Sequence, residues 1–146
     1  MEGMQKKLHD RGMTTLEDYL LKDSKTNMSK VVPENTQGAK KAVLEYQVLD
    51  VDTDAKRAFL KVKLHTGRHH QIRVQLANAG LPIQDDAKYG IVCDAKYGIV
   101  CDAKHGDNLA LCSCRLVFTH PVTKKKLVFE IEPKGKSFMN FMKKYS

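Results

Sequence analysis

Apolar and polar positions alternate along two neighbouring stretches of the chain. Ala42, Leu44, Tyr46 and Val48 interleave with Val43, Glu45, Gln47 and Leu49, and Leu60, Val62 and Leu64 interleave with Lys61, Lys63 and His65. A period of two predicts strands. Asp50 to Lys56, with three aspartates, predicts a reversal between them. The pair is therefore expected to form an antiparallel hairpin with one wet, basic face. The period then changes. From His69 or His70 to Ala79 the apolar residues Ile72, Leu76 and Ala79 fall on one helical stripe, with Gln71, Gln75 and Asn78 as the polar side. Gly80 fits a C-cap, and Pro82 prevents continuation.

The flanks carry weaker patterns. Thr15 is a plausible N-cap for a short helical or turn segment reaching Leu21. Asp23 to Gly38 reads as an exposed loop around a short strand at Val31-Val32. Leu109 to Thr119 is a strand candidate interrupted at Cys112 to Arg115. His120 to Lys124 is a turn and Leu127 to Ile131 a returning strand. Phe138, Phe141, Met142 and Tyr145 recur at helical spacing, as core residues do. These elements predict an α+β fold: a mostly antiparallel mixed sheet with a central helix and a C-terminal helix, in one domain over residues 1–146.

The chain has 146 residues, 42% of them hydrophobic, which supports one domain with a real core. Its formal charge of +8 favours a polyanionic partner, RNA or DNA before a membrane surface. No apolar run approaches the ~20 residues that span a bilayer. The first residues also lack a secretory signal's hydrophobic stretch. A cytoplasmic location is the default expectation, and Cys93, Cys101, Cys112 and Cys114 then read as reduced thiols. Their spacing is poor for zinc, with His105 as a fifth candidate ligand, so no metal is expected.

Residues 86–93 and 94–101 are identical, and a partial third copy follows at Asp102 to Gly106. Eight residues is too short for a solenoid unit. The segment is expected to be a tolerated loop insertion, removable at a closure-entropy change of about a kcal/mol or less.

The most informative stretch is Thr66-Gly67-Arg68-His69-His70-Gln71-Ile72-Arg73. It links a strand to a helix through a glycine turn, a natural place to present side chains to a ligand. With Gly80-Leu81-Pro82-Ile83, Asp86-Ala87-Lys88-Tyr89-Gly90, Leu109-Ala110-Leu111 and Leu116-Val117-Phe118-Thr119-His120-Pro121, it resembles the C-terminal half of the RluA-like pseudouridine synthases. The likeness runs roughly from Leu16 to Phe138. These enzymes isomerise uridine to pseudouridine in RNA and use no cofactor. The family's nucleophilic aspartate sits in a His-Arg-Leu-Asp motif, which does not occur in this sequence. The active-site tyrosine of the family also lies in an upstream strand.

The resemblance implies a partial catalytic domain with the duplicated segment at 86–101 inserted in it. Arg73 matches the arginine that pairs with the family's aspartate, and is expected here without that partner. Arg68 and His70 are candidates for RNA contact or for orienting neighbours, and Leu111 for an apolar wall near the target base. Asp85 stands where the family has glycine, which sets the local turn in question. The implied function is RNA pseudouridine synthase acting on ribosomal RNA, with this chain, a C-terminal portion, expected to be inactive alone. The alternatives are a non-catalytic RNA-binding remnant on the basic face, and an inert fragment or protein-interaction module. An uncovered sheet edge and apolar surface are expected to lead to a homodimer or strand exchange.

Overall fold

The computed structural model describes residues 12–54, 57–89, 109–134, 138 and 141, and the backbone of 98–101. Strand β1 spans Thr14–Asp23, β2 Met28–Val32, β3 Lys40–Asp52 and β4 Arg57–Leu64. Helix α1 spans Gln71–Asn78. Strand β5 spans Gly98–Cys101, β6 Arg115–Thr119 and β7 Lys126–Glu130. The first five strands form one sheet in the order β2-β1-β3-β4-β5, and β6 and β7 form a separate hairpin. All pairings are antiparallel except β4 with β5. This is the expected α+β architecture.

The central hairpin follows the alternation. Ala42, Leu44, Tyr46 and Val48 of β3 are all buried. The strand does not stop at Asp50, however. A bulge between Val48 and Asp50 shifts the register, and pairing continues to Asp52 opposite Arg57. The reversal therefore falls at Thr53 and Asp54. One extra residue in a strand is how an antiparallel ladder absorbs such an offset.

The helix or turn expected from Thr15 to Leu21 is instead strand β1. Its N-terminal part pairs with β3, Thr14 opposite Tyr46, and its C-terminal part with β2, Asp23 opposite Met28. Tertiary pairing on both sides overrides the local cap signal. The loop around Val31 likewise holds a full strand, β2, hydrogen-bonded to β1.

Helix α1 lies against the sheet. Ile72 and Leu76 join Leu44, Tyr46, Val48 and Leu60 in the main core cluster, and Val74 packs with Leu20 and Ala42 in a second one. The helix ends in a Schellman arrangement. Leu81 N donates to Leu76 O at 2.8 Å and Gly80 N to Ala77 O at 3.0 Å, with Gly80 at φ 80°. The polar side expected for Gln71 and Gln75 is not solvated: they are 3% and 0% exposed.

The C-terminal helix falls mostly outside the described residues. Its two described members, Phe138 and Phe141, are buried against Phe59, at ring-centroid distances of 6.2 and 5.5 Å. The second copy of the octet is not simply a loop: its last four residues are β5, paired with Arg57 to Leu60 of β4. Hairpin β6–β7 exposes apolar residues on both faces, Leu116, Phe118 and Phe129 on one and Val117 and Val128 on the other.

Candidate functional site

The eight residues 66–73 are fixed one by one to other elements. Thr66 Oγ1 accepts a hydrogen bond from Val43 N at 2.9 Å, tying the end of β4 to β3. Gln71 completes that tie. Its Oε1 accepts from Thr66 Oγ1 at 2.8 Å and from Arg68 N at 2.9 Å, while its Nε2 donates to Val43 O at 3.1 Å. A buried amide with each end satisfied locks the turn rather than weakening it. Gln75, one helical turn on, donates to Asp18 Oδ2 at 2.9 Å and to Ala42 O at 3.2 Å.

Arg68 is exposed, and its Nε donates to Lys41 O at 2.8 Å. His69 Nδ1 lies 2.9 Å from Ser29 Oγ on β2, and its ring stacks on His70 at 3.8 Å. His70 occupies the N-cap position at φ 52°, but its side chain makes no capping bond. Histidine is among the few non-glycine residues enriched in this left-handed region. Its Nδ1 instead sits 2.9 Å from Tyr89 Oη, and Tyr89 Oη also accepts from Ser29 N at 2.8 Å. The bond from Ser29 leaves the hydroxyl proton free, so the hydroxyl is suited to donate to a neutral His70 ring. Burial pushes the His70 pKa down to about 4, reinforced by Arg73, His69 and Lys88 and opposed by Asp86.

The missing motif led to the expectation of an Arg73 without a carboxylate partner, but it is paired with Asp86. Its Nε donates to Oδ2 at 2.9 Å and its Nη2 to Oδ1 at 2.7 Å. The side chains are 13% and 0% exposed. Asp86 Oδ1 also accepts from Lys88 N and Tyr89 N, at 3.0 and 3.1 Å. Burial alone raises the Asp86 pKa, but the Arg73 and backbone donors outweigh it and hold the carboxyl below its ordinary value. Tyr89 then covers the pair, with Arg73 Cζ 5.0 Å from its ring centroid. A carboxylate so enclosed is suited to holding Arg73 in place rather than to meeting a ligand.

Asp85 keeps the turn that a glycine would make, at φ 61°. His70 and Arg73 thus meet at Tyr89, while the Arg68 side chain turns instead to the Lys41 carbonyl. Leu111 is not part of that polar network; it is buried in the apolar core with Ile72 and Ile83. Sequence reasoning missed Ser29 and Gln71, and it read Tyr89 only as part of a motif. The adjacency of Gln71 to the apolar stripe was the available signal. Among the described residues no group of three or more His, Cys, Asp or Glu is arranged to hold a metal, and no helix is long and apolar enough to cross a membrane. Cys93 and His105 lie outside the described residues, as does the side chain of Cys101.

Comparison with known proteins adds a family to this geometry. The RNA pseudouridylate synthase family profile matches residues 4–78, just over half of the chain. An uncharacterised RNA pseudouridine synthase of Aquifex aeolicus is 39% identical over 93 residues, 64% of this chain and 29% of that protein. The ribosomal large subunit pseudouridine synthase D of Vibrio cholerae is 36% identical over 94 residues, 62% of this chain and 28% of that protein. An uncharacterised RNA pseudouridine synthase of Mycoplasma genitalium is 32% identical over 101 residues, covering 30% of its own length. The chain thus matches less than a third of the length of each of these relatives.

Proposed function

Because the chain belongs to the RNA pseudouridylate synthase family, we propose that it serves the isomerisation of uridine to pseudouridine in ribosomal RNA, in the cytoplasm. The observation that carries this reading is the Arg73–Asp86 pair, set in the family's His-Gln-Ile-Arg block at the head of α1. The reaction breaks the bond from ribose to the base nitrogen, turns the base and rejoins it through carbon. A carboxylate working beside an extruded base needs a guanidinium to offset its desolvation. Arg73 is the guanidinium in place. Asp86 holds it in one orientation, and Tyr89 shields the pair from water. Its partner in catalysis is an aspartate of the His-Arg-Leu-Asp type, a string these residues do not contain. By itself the chain is therefore inactive.

Arg68 and His70 stand at the rim for contact with RNA, and Leu111 backs the wall from within the core. The exposed apolar hairpin β6–β7 supports self-association.

The test is a chimera. The chain replaces the matching residues of the Vibrio cholerae enzyme, and pseudouridine in ribosomal RNA is read by mass spectrometry. Turnover by the chimera, none by the chain alone, and none by the R73M chimera are expected. A folded chimera without turnover overturns the proposal.

A further inference from the structure

Beside the helix entrance lies a cavity of about 250 Å³, whose wall includes Lys22, Ser29, Lys40, Gly67, Arg68 and His69. Three cationic side chains and an imidazole line it, and among the described residues no carboxylate does. Its size falls below the ~300 Å³ at which pockets begin to enclose drug-sized ligands. A small anion suits it better than a whole base.

Two features of the wall favour a ligand over empty solvent. The first is Gly67. A Cβ there would meet nothing within 4 Å, and its φ is not left-handed, so neither packing nor backbone conformation calls for glycine. Without a side chain, the backbone at Gly67 is open to close approach by a ligand. Gly38 differs, since its φ of +83° calls for glycine by itself. The second feature is preorganisation. Arg68 is held by the Lys41 carbonyl and His69 by Ser29, so two of the polar groups are oriented before any ligand arrives. The cationic surroundings are felt by His69, whose pKa is lowered by burial and then by Lys22, Lys88 and Arg73.

We propose that this cavity seats one phosphate of the RNA backbone, held by Lys22, Lys40 and Arg68 with His69, beside the entrance occupied by Arg73. The assignment rests on the RNA-acting reading above. It also names a place in the fold for the contact. Ser29 joins the seat to the pair, since its hydroxyl meets His69 and its N–H meets Tyr89. A phosphate there would set the register of the strand relative to the arginine, as backbone contacts do elsewhere in nucleic-acid recognition.

The test is the salt dependence of binding to a single-stranded oligouridylate, by fluorescence anisotropy on the full chain. K22Q/K40Q/R68Q together should reduce the slope of log affinity against log salt by about 0.7 in magnitude, the share of one phosphate contact, and each single substitution by part of that. K61Q, on the basic face of β4, should leave the slope unchanged. Thermal melts confirm that each exposed substitution leaves the fold in place. Binding with slopes unchanged in the cavity variants, or a loss confined to K61Q, overturns the seat while leaving the RNA-acting reading intact. Absence of RNA binding by the wild-type chain overturns both. The His69 ring signals in NMR separate the sources of phosphate: saturation is expected at far lower phosphate concentration with oligouridylate than with inorganic phosphate. Equal affinity for the two would make this a free-anion site and overturn its assignment to RNA.

Discussion

Arg73 and Asp86 form a two-pronged ion pair, 2.7 and 2.9 Å, across the turn that ends α1. The pair is inaccessible on the acid side and nearly so on the basic side. Removing one partner leaves the other buried and uncompensated. R73M should therefore destabilise the chain by about 3–5 kcal/mol in urea unfolding. Adding D86N removes the stranded charge while keeping an acceptor for the Lys88 and Tyr89 amides, so R73M/D86N should be the more stable of the two variants. A double variant as unstable as the sum of the singles would show that the two side chains do not interact.

His70 gives a separable pH signature. Its folded pKa of about 4 lies below the ordinary histidine value of about 6.5. Between those values the unfolded chain binds more protons than the folded one, so stability rises with pH in that window and falls as pH drops from about 6.5 to about 4. Asp86, held below the usual carboxylate range, adds its own loss only at lower pH. H70N keeps a residue tolerant of φ 52° and removes the titrating ring. Its melting temperature should vary less over the upper window; an unchanged pH slope would refute the assignment.

Asp85 is an L-residue held at φ 61°. Left-handed backbone costs a non-glycine residue about 1–2 kcal/mol, less for aspartate than for most. D85G should raise stability by up to about 1 kcal/mol, read as a small increase in melting temperature. A decrease would mean that the exposed carboxylate makes an offsetting contribution.

The duplicated octet is less dispensable than its letters suggest. Tyr89 of the first copy is bonded to Ser29 of β2, and Gly98 of the second opens β5. Those strands are four positions apart in the sheet, about 19 Å at the usual strand spacing. The tyrosine side chain covers only part of that span, so the chain between Tyr89 and Gly98 has to reach the rest. Deleting residues 94–101 leaves a single peptide step of about 3.8 Å. The shortened chain must give up either the β4–β5 pairing or the Tyr89 bonds. We expect a loss of about 1–2 kcal/mol, with faster amide exchange in β4 if the pairing is lost. An unchanged melting temperature would restore the tolerated-insertion reading.

Self-association should run through β6–β7, where Phe118 and Phe129 stack at 5.9 Å with 39% and 55% of their surfaces exposed. Size-exclusion with light scattering should show dimers or larger species, and F118S/F129S should shift them toward monomer. A wild-type monomer at high concentration would argue against association by this face.

The parts of the fold legible in sequence were those where one face is buried and the other wet. Leu44, Tyr46 and Val48 announce β3 by alternation, and Ile72 with Leu76 announces α1. Strand β1 was hidden because Glu17, Asp18 and Tyr19 break the apolar rhythm, and only pairing with β2 and β3 makes the segment extended. The roles of Gln71 and Gln75 were hidden for another reason. Both are polar and buried, and their Nε2 groups donate to the Val43 and Ala42 carbonyls, partners that periodicity does not see. The family arginine was legible at Arg73, but its partner Asp86 depends on how the chain turns after Gly80.

The two octets share every letter yet face different selective demands. In the first, Asp86 and Tyr89 are tied through side chains, so a change of residue type there is costly while the backbone beyond is not constrained by that pair. In the second, Gly98 to Cys101 is tied through the backbone ladder to β4, which tolerates many side chains but few insertions or prolines. Sequence drift should therefore part the copies asymmetrically: the acid and the tyrosine preserved in the first, strand-forming character in the second. The partial third copy already carries His105 in place of the tyrosine.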